Sequence, residues 1–218
     1  MAVGAGVVPQ ARLDDMVHRI LRSFIAVGAF EHPPQRQPVD AALDAAGFEV
    51  AQRTAEAGAV LLRNENGVLP LAPDVRRIAI IGGHADKGVI AGGGSSMVGW
   101  TSRGTSAVDG LAPTTWPGPV MFQPSSPLRA LREALPEARI DYADGRDRAA
   151  AARLAREADV AIVFATQWAA ESVDLPDMRL PDGQDALIAA VAAANPRNVV
   201  VLQTNGPVEL PWLDAVPG

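Results

Sequence analysis

The densest group of reactive side chains lies between residues 167 and 174, in the run Gln167-Trp168-Ala169-Ala170-Glu171-Ser172-Val173-Asp174. It follows Val160-Ala161-Ile162-Val163-Phe164, an apolar run that reads as a buried strand. Two carboxylates and an indole thus gather just past one strand end. Hydrolysis of a glycosidic bond uses two carboxyl groups of different proton affinity, and sugars stack on aromatic faces, so Glu171, Asp174 and Trp168 have the types such chemistry needs. Spacing alone leaves a plainer reading open. Loop acids are commonly solvated or cap helices, and Asp174 and Asp177 could simply order a turn around Pro176.

Other chemistries fare worse. Gly82-Gly83-His84-Ala85-Asp86 and Gly92-Gly93-Gly94-Ser95-Ser96 follow the strand Arg77-Ile78-Ala79-Ile80-Ile81, but neither forms G-x-G-x-x-G or G-K-[ST]. The glycines therefore read as a loop needing positive φ or close backbone approach rather than a phosphate cradle. A nucleotide-binding module is the third-ranked reading. His18, His32 and His84 lie far apart without metal-ligand spacing, and no G-x-S-x-G elbow occurs. No metal or cofactor is expected. With no cysteine in 218 residues, a disulfide framework, a thiolate metal site and a cysteine nucleophile are excluded. The formal charge of −6 disfavours nucleic acid as a partner. No apolar run reaches the roughly 20 residues of a membrane helix. Met1 to Val8 lacks the basic region and cleavage site of a signal peptide, so the compartment stays open among periplasmic, secreted and cytoplasmic. Both ends read as cut from a longer chain.

The elements that must position the loop follow from periodicity. Leu13, Met16, Val17, Ile20, Leu21 and Phe24 fall at helical spacing within an amphipathic helix over 12–26, with Gly28 as its stop signal. Pro33, Pro34 and Pro38 mark 31–39 as a linker. Beyond it, helices are expected at 41–59, 128–135, 146–157 and 183–194, and strands at 77–81, 139–142, 160–164 and 199–202. Apolar strands alternating with helices predict an α/β fold: a parallel-dominated sheet covered by helices on both faces. Residues 88–119, rich in Gly, Ser, Thr and Pro, read as a long surface excursion. In open α/β sheets ligands collect beyond the C-terminal strand ends, which directs attention to the segments after Ile81, Phe164 and Leu202.

Several stretches, in order, resemble the family 3 glycoside hydrolases, β-glucosidase-like enzymes. They are Val27-Gly28-Ala29-Phe30, then Gly58-Ala59-Val60-Leu61-Leu62-Arg63-Asn64-Glu65 with Val68-Leu69-Pro70-Leu71, and then Arg77 to Gly82 with Gly92-Gly93-Gly94-Ser95. The likeness continues through Ala158 to Val163, Leu180-Pro181, Gln184 to Ile188, Ala194-Asn195-Pro196, and Val199 to Trp212. The resemblance implies that 1–30 is the last helix of a (β/α)8 barrel, 31–39 a linker, and 40–218 the family's C-terminal α/β domain, incomplete at its end. It implies a retaining mechanism with an Asp nucleophile on the barrel and a Glu acid/base in a Trp-x-x-Glu-Gly-x-Asp-Arg pattern. Trp168, Glu171 and Asp174 match. Glu171 inherits the acid/base role, and Trp168 and Asp174 a place beside the substrate. Ser172 stands for the usual Gly and Leu175 for the usual Arg, which deprives Asp174 of a directional charge partner.

The nucleophile's motif is absent from this chain, and one carboxyl cannot carry retaining chemistry. The leading expectation is part of a β-glycosidase whose partners are a β-linked glucoside or related short saccharide and the barrel. The alternative is a non-catalytic α/β domain, or inactive fragment, that at most binds sugar or a partner barrel.

Overall fold

The computed structural model describes residues 2–35, 40–88, 90–91, 93–97, 106–107, 115–122 and 125–218. They form two compact units, 1–59 and 60–218. The first contains α1 (Gln10–Ala26) and α2 (Ala41–Gly58). Helix α1 stops as its sequence suggests: Gly28 adopts φ 67°, its N–H donates to the Ile25 carbonyl, and the Ala29 N–H donates to that of Phe24. This is a Schellman closure, and glycine supplies its left-handed residue. Helix α1 has no buried residue, and Leu13, Met16, Val17, Ile20, Leu21 and Phe24 are all exposed. Helix α2 starts at Asp40, whose carboxylate accepts from the Ala42 N–H at 2.8 Å. The proline-rich stretch read as a linker falls partly on 36–39, outside the described residues.

The second unit contains β1 (Arg77–Ile81), the short strands β2 (Ile90–Ala91), β3 (Ser106–Ala107) and β4 (Met121–Phe122), then α3 (Pro127–Ala134), β5 (Arg139–Ala143), α4 (Arg148–Arg156), β6 (Val160–Thr166), α5 (Gln184–Ala194) and β7 (Asn198–Gln203). Strands β5, β1, β6 and β7 lie side by side in that order, all parallel, with Ile80 opposite both Tyr142 and Ile162. The expected parallel sheet is present. Alternation along each strand sends side chains to two cores. Ala79, Ile81, Ala161, Val163 and Ala165 pack with Ala151 and Ala155 of α4 and with Leu187, Ile188 and Val191 of α5. Ile78, Ile80, Val160, Ile162 and Phe164 pack with Leu128 of α3 and with Val68. Ile78, Ile80 and Ile81 are almost fully buried, each contributing about 1.5–3 kcal/mol by removal from water. Helices thus cover both faces.

In this unit two boundaries differ from expectation by two residues, the others by at most one. Helix α4 begins at Arg148 rather than Arg146, because the Asp147 carboxylate accepts from the Ala150 N–H and acts as the cap. Strand β6 runs on through Thr166 because its ladder with β7 continues to the pair Thr166 and Gln203; Gln184 then braces that end, its side-chain amide donating to the Thr166 carbonyl at 2.8 Å and accepting from the Thr166 N–H at 2.9 Å. Much of the excursion expected at 88–119 lies outside the described residues. Its described parts include β2 and β3, which pair antiparallel with β4 in a three-stranded sheet.

Asp159 sets β6 against β1. Its Oδ2 accepts from the N–H groups of Arg76 and Arg77 at 2.9 and 2.8 Å, and these bonds hold its carboxyl below the usual aspartate value. A depressed native pKa contributes stability that is complete above the unfolded value of 3.8 and disappears as pH falls through the lower native one. Asp159→Ala is therefore expected to lower the chemical-denaturation midpoint at pH 7. The gap between variant and parent should close as the pH is taken below that window. A gap independent of pH would mean that the carboxylate's charge contributes nothing.

Candidate functional site

The order of the main sheet decides where a site can form. From β1 the chain crosses by way of α3 to β5 on one side, then returns by way of α4 on the opposite face to β6 on the other side. The connections leaving β1 and β6 thus lead to helices on opposite faces, α3 and α5, which makes the C-terminal ends of these neighbours a topological switch point. Such a switch point is where open α/β sheets take their ligands.

Both loops are tied down. After β1, Gly82 lies between two strands, with its N–H donating to the Ala143 carbonyl and its Cα facing the carbonyl of Phe164 so closely that a Cβ would collide with that oxygen. Tyr142 of β5 donates its hydroxyl to Asp86 at 3.0 Å; burial and this bond push the phenol above its usual value. His84 rests against Phe122 of β4 with ring centroids 4.7 Å apart, and desolvation, then the Lys87 charge, pushes its imidazole below the usual value. Ser126, the cap of α3, donates to the Ala85 carbonyl at 2.9 Å.

After β6 the chain enters the loop read as the chemical centre. Glu171 lies on it, beyond the C-terminal strand end, with its side chain exposed. Residues 170 to 173 turn back on themselves through an antiparallel bridge between Ala170 and Val173, and Ser172 at the corner adopts φ 63°. Glycine adopts that conformation freely and serine does so at a cost of about 1–2 kcal/mol. The turn thus takes a conformation that favours glycine while carrying a side chain there.

The glycine loop embraces this turn. Gly93 bridges to Ala170 in parallel, its N–H donating to the Ala169 carbonyl at 3.1 Å and its carbonyl accepting from the Glu171 N–H at 3.3 Å. A Cβ at Gly93 would come within 2.5 Å of the Ala170 Cβ and 2.9 Å of the Trp168 ring. At Gly94, which has φ 77°, a Cβ would come within 2.5 Å of the Glu171 Cβ. Here the glycines serve close backbone approach. The Ser95 N–H then donates to Glu171 Oε2 at 2.8 Å. Hydrogen bonds from the Ser95 hydroxyl and N–H hold the Glu171 carboxyl below its usual value, outweighing partial desolvation.

Trp168 is half-buried and, with Gln167, Leu175, Arg179 and Asp185, helps line a pocket of about 470 Å³. Glu171 and Asp174 do not line it. Asp174 is exposed, and no hydrogen bond or ion pair among the described residues involves it. Leu175 beside it offers no charge. Asp177 fulfils the plainer reading: it accepts from the Arg179 N–H at 2.9 Å and from the guanidinium at 2.6 Å, which holds its carboxyl low. Sequence reasoning did not single out Ser95 and Gln184, the residues that hold Glu171 and the end of its strand. The Gly92-Gly93-Gly94-Ser95 run was the available signal for the first; a glutamine on a helix's first turn gave none for the second.

The family model of the Glycosyl hydrolase family 3 C-terminal domain matches residues 59–218. Thermostable beta-glucosidase B of Acetivibrio thermocellus is 31% identical over 99% of this chain and 27% of its own length. Probable beta-glucosidase L of Aspergillus terreus is 32% identical over 99% of this chain and 31% of its own. The chain spans less than a third of the length of these curated relatives. Among solved structures, beta-glucosidase D2-BGL from Chaetomella raphigera superposes with a TM-score of 0.74 at 27% identity, covering 99% of this chain and 32% of that one. DesR, a beta-glucosidase from Streptomyces venezuelae in complex with D-glucose, has the same fold with a TM-score of 0.76 at 23% identity, over 99% of this chain and 39% of that one. The glycine loop, the topological switch point and the Trp168-to-Asp174 turn are thus features of a chain that belongs to glycosyl hydrolase family 3, through the C-terminal domain of that family.

Proposed function

We propose that this chain supplies the acid/base half of a retaining β-glycosidase acting on β-linked glucosides or related short saccharides. The observation that carries the reading is the exposed Glu171 carboxyl on the β6 loop at the topological switch point, in a Trp-x-x-Glu-x-x-Asp spacing within a family 3 chain. In the first step the Glu171 carboxyl gives its proton to the leaving oxygen. An Asp carboxylate from the barrel bonds to the anomeric carbon as the glycosidic C–O bond breaks. In the second step the Glu171 carboxylate takes a proton from water, whose oxygen displaces the Asp. Trp168 offers an apolar face to a sugar ring, and Asp174 an acceptor for a hydroxyl. In this reading 1–30 is the last barrel helix, 31–39 a linker and 40–218 the C-terminal domain. The beta-glucosidase names of the relatives support the substrate class.

The test compares the 218-residue chain with the same chain joined to its barrel. Alone, it is expected to leave an aryl β-glucoside at the background rate, since the oxocarbenium-like transition state lacks its covalent partner. Joined, it should hydrolyse the glucoside and release the β-anomer first, as followed by proton NMR. Release of the α-anomer first would exclude retention. A well-folded joined protein without activity would establish the non-catalytic reading instead.

A further inference from the structure

We propose that Ser95 is the positioning residue of Glu171, holding the carboxylate with its N–H and hydroxyl until a glycosidic oxygen takes their place. The inference rests on the acid/base reading of Glu171 and adds to it the residue that aims the carboxyl and sets when it carries its proton.

The geometry is over-determined. The Gly93–Ala170 bridge ties the glycine loop to the backbone of Ala169 and of Glu171 itself. The Gly94 N–H donates to the Pro117 carbonyl at 2.5 Å, so the turn is held from its far side as well. Gly94 has a left-handed φ, and a Cβ there would stand 2.8 Å from Glu171 Oε2, the oxygen that accepts from Ser95 at 2.8 Å. Only a residue without a side chain lets the next N–H reach that oxygen. Several backbone constraints therefore serve one contact, which a casual surface hydrogen bond would not need.

The contact has a chemical consequence. Two donors on one carboxylate favour its ionised form. No ion pair among the described residues involves Glu171, and neither Gly93 to Ser95 nor Thr115 to Pro117 carries a charged side chain. Asp174, on the same loop, is the charged residue nearest in sequence. Among the described residues Ser95 is thus the main influence on the proton affinity of Glu171, in the direction opposite to that of a general acid. A leaving oxygen entering beside Oε2 displaces these donors, and the carboxyl gains proton affinity where the proton is to be delivered. Ser95 holds Glu171 ready as base and releases it as acid.

The experiment starts on the 218-residue chain, with glutamate labelled at the side-chain carboxyl carbon and Glu171 assigned by the resonance lost in Glu171→Gln. Ser95→Ala is expected to raise the titration midpoint of Glu171, and Ser95→Thr, which keeps the hydroxyl, to return it. A midpoint unchanged in Ser95→Ala, or raised equally in Ser95→Thr, overturns the proposal. In the barrel-joined protein, Ser95→Ala should move the basic limb of the kcat/KM profile to higher pH, with Ser95→Thr restoring it. A midpoint that moves while the limb stays would retain the contact but remove Glu171 from the acid role, so the two failures are distinguishable.

Discussion

Glu171→Gln in the barrel-joined protein is expected to lower kcat/KM for an alkyl β-glucoside by roughly 10²–10⁴-fold, and that for a dinitrophenyl β-glucoside far less. The amide keeps the size of the side chain and much of its hydrogen bonding but has no proton to give. An alkoxide leaves only if it is protonated, whereas dinitrophenolate leaves unaided. Because kcat/KM reports steps up to the first irreversible one, the comparison isolates cleavage from the later attack of water. That later step loses its base in the same variant. Added azide, a nucleophile that needs no proton removed, should therefore speed turnover of the activated substrate and form a glycosyl azide. An equal loss for both leaving groups, or no loss, would remove Glu171 from the role and make Asp174 the next residue to change.

The parts of this site legible in the sequence share one property: their signal is local. The Val160–Phe164 run shows a strand by its continuous apolar character, and Glu171 follows at its end. Asp177 turns the chain onto its own Arg179, and Gly28 closes its own helix. What stayed hidden depends on contacts between distant segments. Ser95 lies 76 residues from the carboxylate it holds, and nothing in Gly92-Gly93-Gly94-Ser95 names its partner. Gln184 braces the end of β6 by pairing with Thr166 across 18 residues, in a helical turn where glutamine is otherwise unremarkable. Ser172 is an intermediate case. The resemblance implies a glycine at this position, and the positive φ of Ser172 shows a turn of the kind glycine adopts freely, here carrying a strained side chain. The missing charge at Leu175 is likewise legible, and Asp174 beside it is exposed. The two departures act differently: one strains the backbone that presents Glu171, and the other leaves a neighbouring acid without a fixed direction.

The contact between β1 and β6 at their C-terminal ends gives the second large effect. Gly82→Ala is expected to destabilise the chain by on the order of 3 kcal/mol, while Gly83→Ala, one residue on, should change stability by no more than about 0.5 kcal/mol. The two glycines are adjacent and receive the same methyl group, so unfolded-state effects are nearly matched. Only the native surroundings differ. Gly82 has φ 112°, and the added Cβ would be driven into the Phe164 carbonyl of β6, while its own N–H is held by Ala143 of β5. Held from one side and blocked on the other, it cannot move aside without parting β1 from β6. Gly83 lies outside the left-handed region, and its Cβ would meet nothing within 4 Å. With a urea dependence of about 1–3 kcal/mol per molar, the first substitution should lower the midpoint by roughly 1–3 M and the second hardly at all. The disturbance also reaches the site, because Phe164 is two residues from Thr166, where Gln184 fixes the start of the Glu171 loop. Gly82→Ala should consequently broaden or shift the Glu171 carboxyl resonance even where the chain remains folded. Matching effects from the two substitutions would show that β1 and β6 can separate freely at their C-terminal ends, and that these strand ends are not the rigid support from which Glu171 is presented.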